Sequence, residues 1–233
     1  MYALVVAVGC ATGTNPLGEP QDGGPDSKLP ADAKATPDAV VLPTAADACV
    51  ASATERLANP VLDLTPAGTG WVDQRDPLTN ALPGGPFPII SANPVGLTSQ
   101  TAPNKAWLGG AAGDDVTPAA SSLTDQLYQD VTFPADATNF VVSGYYVVGT
   151  TDLDTFVFDT FTLAVVETNG AAIETVLSLD NTTIADDFTQ FSKTLTSNLA
   201  GRTVRLRATS VNDDILHTNF FLDSLSFTAT SCQ

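Results

Sequence analysis

Basic side chains are scarce in this chain. It has 9 Lys and Arg against 26 Asp and Glu, for a formal net charge of −17. Nucleic acid and anionic membrane surfaces both require a positive face, so neither is an expected partner. Histidine is nearly absent: His217 stands alone, and neither HExxH nor CxxC occurs, which leaves catalytic zinc without its usual ligands. Gly-x-Ser-x-Gly is missing too, so His217 near Asp213 and Asp214 reads as a loop residue rather than a member of a nucleophilic triad. Carboxylates are plentiful but occur as adjacent pairs, Asp114-Asp115, Asp186-Asp187 and Asp213-Asp214. Such pairs in loops are turn formers or cation sites, whereas a glycosidase sets two carboxylates on either side of a sugar. Asp152-Leu153-Asp154 lacks the Gly and Glu of an EF-hand loop. The expectation is a protein that is not an enzyme.

Cysteine is also rare, with only Cys10, Cys49 and Cys232. An odd count in an exported chain asks for one pair and one cysteine left over. The apolar residues 2–9, YALVVAVG, fall far short of the about 20 that cross a bilayer. They suit the core of a signal peptide. Ala7-Val8-Gly9-Cys10 resembles a bacterial lipobox, although Ala7 stands where Leu is usual and no Lys or Arg precedes it. The resemblance implies a leader over 1–10 and lipidation at Cys10. Residues 11–48 hold no aromatic side chain and are rich in Gly, Pro, Ala, Asp and Thr. They bury too little apolar surface to offset ordering entropy. A disordered tether is expected there, holding a folded domain, 49–233, away from a membrane. The implied location is the bacterial cell envelope, lipid-anchored or secreted, with the membrane met only through the lipid.

From Cys49 onward the pattern is mostly extended. Ala51 to Ala58 suggests a turn of helix, ended by Asn59-Pro60, and Val61 to Leu64 suggests a first strand. Residues 65–104 are punctuated by Pro and Gly, with short extended pieces at 70–73 and 87–91. KAWLG at 105–109 is a short strand. Alternation then predicts strands over 127–133, 140–148, 156–168, 172–179, 188–196, 203–210 and 218–232. Asn169-Gly170 marks a tight hairpin. In the last strand, simple alternation puts Phe221, Asp223, Leu225 and Phe227 on one side and Phe220, Leu222, Ser224 and Ser226 on the other. A carboxylate within such a strand is either turned outward or held by a cation. Eight to ten strands with almost no helix mean an all-β sandwich or barrel.

Several pieces, in order, resemble galactose-binding-like jelly rolls, which occur as carbohydrate-binding modules of bacterial secreted proteins. They are Asn59-Pro60-Val61-Leu62-Asp63, Gly70-Trp71, Ala106 to Gly110, Leu127 to Val131 with Pro134, Phe158-Asp159-Thr160, Leu199 to Val204 and Thr218 to Leu225. The likeness covers about 59–229. It implies a jelly-roll β-sandwich whose first and last strands lie side by side. It also implies a Cys49–Cys232 disulfide that staples the two ends, and Trp71 and Trp107 as core residues. A structural Ca²⁺ is implied on Asn59, Asp63, Gly110 and Asp223. The alternative is that Asp63 or Asp223 caps backbone amides or pairs with Arg. Tyr145, Tyr128 and Phe87 are the aromatic side chains expected to face a glycan. Two functions follow: a non-catalytic surface module that binds glycan or another surface component, or a structural and adhesive domain with no small ligand.

Overall fold

Alternating apolar and polar residues give eleven strands in two antiparallel sheets among the described residues of the chain. The structure is a computed structural model, and it describes residues 50–75, 87–92, 97–110, 123–151, 155–183, 185–213, 216 and 218–232. All of these belong to one unit, Asp47–Gln233. Cys10, Cys49, the 11–48 segment, Asp114-Asp115, Asp152, Asp154, Asp214 and His217 lie outside the described residues.

The strands are β1 (Ala51–Glu55), β2 (Val72–Gln74), β3 (Ile90–Ser91), β4 (Lys105–Gly109), β5 (Leu123–Thr132) and β6 (Thr138–Thr150). They continue with β7 (Thr160–Glu167), β8 (Ala172–Asp180), β9 (Ala185–Thr194), β10 (Thr203–Asn212) and β11 (Thr218–Cys232). One sheet, here the front sheet, runs β3-β4-β11-β6-β9, with β1 also on β11; the back sheet runs β2-β5-β10-β7-β8. The pairs are nested: β7 with β8, β6 with β9, β5 with β10 and β4 with β11. That is one long hairpin rolled into two layers, the jelly roll. Phe161 and Phe220 stack between the sheets with ring centres 5.3 Å apart. At the opposite end of the core, Phe133 meets Phe140 and Phe227 edge-on at 5.0 and 4.9 Å.

Three local expectations are corrected. Residues 51–55 are a strand rather than a helical turn, and they, not 61–64, lie beside β11, with Ala51 opposite Cys232. The 156–168 strand begins only at Thr160. Ahead of it, Asn181 takes the place of a partner strand: its Oδ1 accepts the Phe158 and Asp159 amides, and its Nδ2 donates to Phe156 O. The third correction concerns β11. Asp223 pairs with Tyr145 but Ser226 pairs with Ser143, so β11 holds one extra residue. Ser224, at φ 48°, is in the left-handed region at this bulge. The alternation therefore flips. Phe220 and Leu222 before the bulge, and Leu225 and Phe227 after it, all enter the inter-sheet core, whereas Phe221 joins Trp107 and Val147 in a separate cluster.

The bulge leaves no room on the facing strand. A Cβ at Gly144 would lie 2.8 Å from Leu225 Cδ2 and 3.1 Å from the Phe191 ring. Gly144→Ala is expected to destabilise the fold by about 1–3 kcal/mol, as overpacking does; urea unfolding reads it directly.

Candidate functional site

In an antiparallel sandwich the outer faces meet water, yet the outer face of the front sheet is partly apolar. Trp107, Phe221 and Val147 are cross-strand neighbours on β4, β11 and β6, and the Trp107 and Phe221 rings stack at 6.2 Å. Phe87, Leu97 and Phe188 pack against them. Trp107 is thus buried as expected, but outside the main core. The Pro-rich segment supplies Phe87 and Leu97 and so covers one half of this face.

The other half is open. A groove of about 230 Å³ is lined by Leu97, Val147, Val148, Gly149, Asp186, Asn219 and Phe221. Asn219 fixes its wall: Oδ1 accepts the Trp107 indole N–H at 2.8 Å, and Nδ2 donates to Gly149 O at 3.1 Å. A Cβ on Gly149 would meet nothing within 4 Å. The sequence reading did not single out Asn219; alternation along β11 puts it on the side of Phe221, and the β4 pairing brings it to Trp107. Asp186 read from sequence as one of a solvated pair, and nothing in the sequence paired β9 with β6.

Asp223 is on the same face and fully buried. Its Oδ2 accepts the Gln100 and Thr101 amides at 2.8 and 3.1 Å, and its Oδ1 accepts the Thr101 hydroxyl at 2.9 Å and the Ser224 amide at 2.6 Å. Burial pushes the Asp223 carboxyl up, and these donors draw it part of the way back. Lys105, buried on the adjoining strand, is pushed down by its own burial and up by the Asp223 charge. Asp63 accepts the Asn104 amide at 2.9 Å. Asn59 organises its own turn at φ 58°, binding Thr69 O, the Leu64 amide and, through its carbonyl, the Trp71 indole. Gly110 donates to Thr218 O at 2.9 Å. Thr218 lies five residues from Asp223, about 17 Å along an extended strand. Gly110 thus stands apart from Asp223 along β11, and Asp223 is met by amides, the Thr101 hydroxyl and a Lys charge. Among the described residues no group of three His, Cys, Asp or Glu side chains is placed to hold a metal.

The three expected glycan-facing aromatics are also dispersed. Phe87 is part of the Trp107 cluster, and Tyr145 sits on the front sheet between Asp223 and Gln190. Tyr128 is on the back sheet, its ring 3.8 Å from the Arg205 guanidinium carbon, which Asp130 holds. They form no single platform. The sequence reading missed a different pair: Phe156 and Phe158, 70% and 45% exposed, with ring centres 6.4 Å apart. Assigning them to a strand hid them.

No family model matches this chain, and no curated protein does. Solved structures of similar shape include carbohydrate-binding modules. TmCBM61 in complex with β-1,4-galactotriose is 10% identical, over 75% of this chain and 98% of that one, with a TM-score of 0.48. The CBM22-1 xylan-binding domain from Paenibacillus barcinonensis Xyn10C is 12% identical, over 79% and 97%, at 0.37. A cyclase from Fischerella sp. TAU is 13% identical, over 76% and 98%, at 0.44. The all-β jelly roll rests on the strand order itself.

Asp223→Asn leaves amide donors facing an NH₂ group and is expected to cost about 1–3 kcal/mol in urea unfolding. A pH profile follows as well. Burial raises the carboxyls of Asp73, Asp159 and Asp223 above the ordinary 3.8. In the window just above 3.8 the native chain binds more protons than the unfolded one, so stability falls as pH rises through it. Glu174 acts oppositely. Its own desolvation pushes it up, but Ser197, Lys193 and the Thr196 amide pull it down to about 2. Its contribution is complete above 4.5 and is lost as pH falls through about 2. Tm is expected to rise as acidification enters the window just above 3.8 from higher pH and to drop as pH nears 2, with Glu174→Gln flattening only the acid limb.

Proposed function

We propose that the chain is a non-catalytic, exported surface module that takes carbohydrate in the outer groove of the front sheet. The groove carries this reading. It combines the Phe221 ring, an exposed carboxylate at Asp186, the Asn219 amide and open space above Gly149. Apolar floor with a few placed polar groups is what orients a small polar ligand, and 230 Å³ suits a sugar residue or two rather than a cofactor. Asp186 is the one carboxylate among the described lining residues, whereas glycoside hydrolysis works with a flanking pair. The Asn59, Asp63, Gly110 and Asp223 calcium set forms no part of this reading.

The module is carried on the 11–48 tether from a lipidated Cys10, in the bacterial cell envelope, with its ends stapled by Cys49–Cys232. Support for the staple is that Cys232 lies opposite Ala51, which follows Cys49 by two residues in the sequence. Non-reducing peptide mapping is expected to recover a Cys49–Cys232 peptide; finding both as free thiols rules the staple out.

Glycan-array binding by the full chain tests the groove. Gly149→Leu fills it with a side chain whose Cβ meets no atom, so Tm should hold while affinity falls at least tenfold. Unchanged binding by Gly149→Leu removes the groove from the reading. No binding to any glycan leaves the structural, adhesive role.

A further inference from the structure

At the end of the sandwich where β4 finishes and β11 begins, the space between the sheets is polar. Asp125 of β5, Ser210 and Asn212 of β10, Thr218 of β11 and Asp159, just ahead of β7, are all buried there. Ser210 stands between Asp125 and Phe161 in register. One step along, Asn212 falls beside Asp159, whose Oδ1 accepts the Asp213 amide at 2.9 Å.

Most of these groups are accounted for. Asp125 Oδ2 takes the Gly109 amide at 2.9 Å and faces Arg75 at 3.3 Å. Asn212 Nδ2 donates to Thr218 O at 2.8 Å. Three oxygens are left: Asp159 Oδ2, Asn212 Oδ1 and Ser210 Oγ have no hydrogen-bond partner among the described residues. Their side chains belong to residues 0%, 1% and 0% exposed. Buried polar atoms in that condition are rare and costly. The ion pairs among the described residues do not include Asp159. Desolvation pushes the Asp159 carboxyl up, the Thr218 hydroxyl and the Asp213 and Thr218 amides draw it back, and the Asp213 carboxylate adds like charge. A water would satisfy the hydroxyl and the amide oxygen but bring no positive charge to Asp159, which only neutral donors meet. A cation answers all three. Carboxylate, amide and hydroxyl oxygens without His or Cys form a hard donor set, the kind that suits Ca²⁺ rather than a transition metal.

We propose that Asp159, Asn212 and Ser210 hold a calcium-class divalent cation between the sheets, with water and main-chain carbonyls completing its shell. The ion ties the start of β7 to the ends of β10 and, through Asn212 and Thr218, to β11. This site is separate from the Asp63 and Asp223 positions, and it does not depend on carbohydrate binding.

The test uses the full chain, stripped with EDTA, in 150 mM-class salt to suppress diffuse binding to the acidic surface. Calcium titration by calorimetry is expected to show one site, and Ca²⁺ should raise Tm relative to EGTA. Asp159→Asn should reverse sign between conditions: higher Tm than wild type in EGTA, because a buried charge is gone, and no gain from Ca²⁺. Ser210→Ala should match wild type in EGTA and bind Ca²⁺ about tenfold more weakly. Asp63→Asn should keep the full Ca²⁺ shift. No calcium-dependent change in wild type overturns the proposal, as does an Asp159→Asn variant that binds Ca²⁺ like wild type. Glycan binding is read separately, so either idea can fail alone.

Discussion

The bulge at Ser224 is the constraint on which the front sheet depends. β11 is the longest strand and is shared by β4, β6 and β1. Its first half must send Phe220 and Leu222 inward, and its second half must send Leu225, Phe227 and Ala229 inward. A strict two-residue period cannot do both with this spacing; one extra residue does. The same irregularity opens a gap on the other edge of β11, between the end of its pairing with β4 at Leu222 and the start of its pairing with β1 at Thr228. Backbone groups in such a gap need partners. Glu55 supplies one, accepting the Phe227 amide at 3.0 Å and the Ser226 hydroxyl at 2.6 Å, and Arg56 N donates to Phe227 O at 3.0 Å. Asp223 fills the remainder by binding the 100–101 amides. The Pro-rich segment is thereby fastened across the outer face.

This explains what was legible in the sequence and what was not. KAWLG, the Val204-Leu206-Ala208 alternation and the Asn169-Gly170 hairpin are local signals, and each appears where expected. The all-β sandwich was legible because most of the longer strands carry their own period; the jelly roll was read from the resemblance. The facing of Phe221, Leu225 and Phe227 was not. It turns on a left-handed serine that no pattern of hydrophobicity announces. The helical reading of 51–55 failed for a related reason: ASATE has no strong strand propensity, and only the unpaired edge of β11 makes it a strand. Phe156 and Phe158 were misplaced because a nonlocal residue, Asn181, takes their backbone groups. The candidate calcium ligands were chosen by position in a motif. In the structure, each already has a hydrogen-bond partner.

The buried carboxylates show the same economy in different forms. Asp223 is held by amides with Lys105 near it, Asp125 by an amide and Arg75, and Asp73 by the Ile89 amide. Each sits where β strands end or break, and each takes up N–H groups that a neighbouring strand would otherwise bind. Asp159 begins the same way, with the Asp213 amide on Oδ1 and Thr218 as a further donor, but Oδ2 and two neighbouring polar atoms have no hydrogen-bond partner among the described residues. In a chain with 26 acidic side chains and 9 basic ones, protein cations are too few to neutralise every buried acid. That shortage, visible in composition, acquires a location only at this end of the sandwich.

The groove has its origin in the same covering of the front sheet. Trp107, Phe221 and Val147 make an outer stripe that an exposed sheet would not tolerate, so something must lie over it. Phe87 and Leu97 of the Pro-rich segment pack on this stripe, and Leu97 also lines the groove with Gly149 and Asp186. Among the described residues the groove lies where the sheet presents a glycine, an amide and an acid in place of apolar side chains. The open strip therefore costs the fold little, and Asn219 is itself held in place, bonded to both the Trp107 indole and the Gly149 carbonyl. On the proposed carbohydrate reading, a half-apolar slot of this kind suits a ligand that offers both ring faces and hydroxyls.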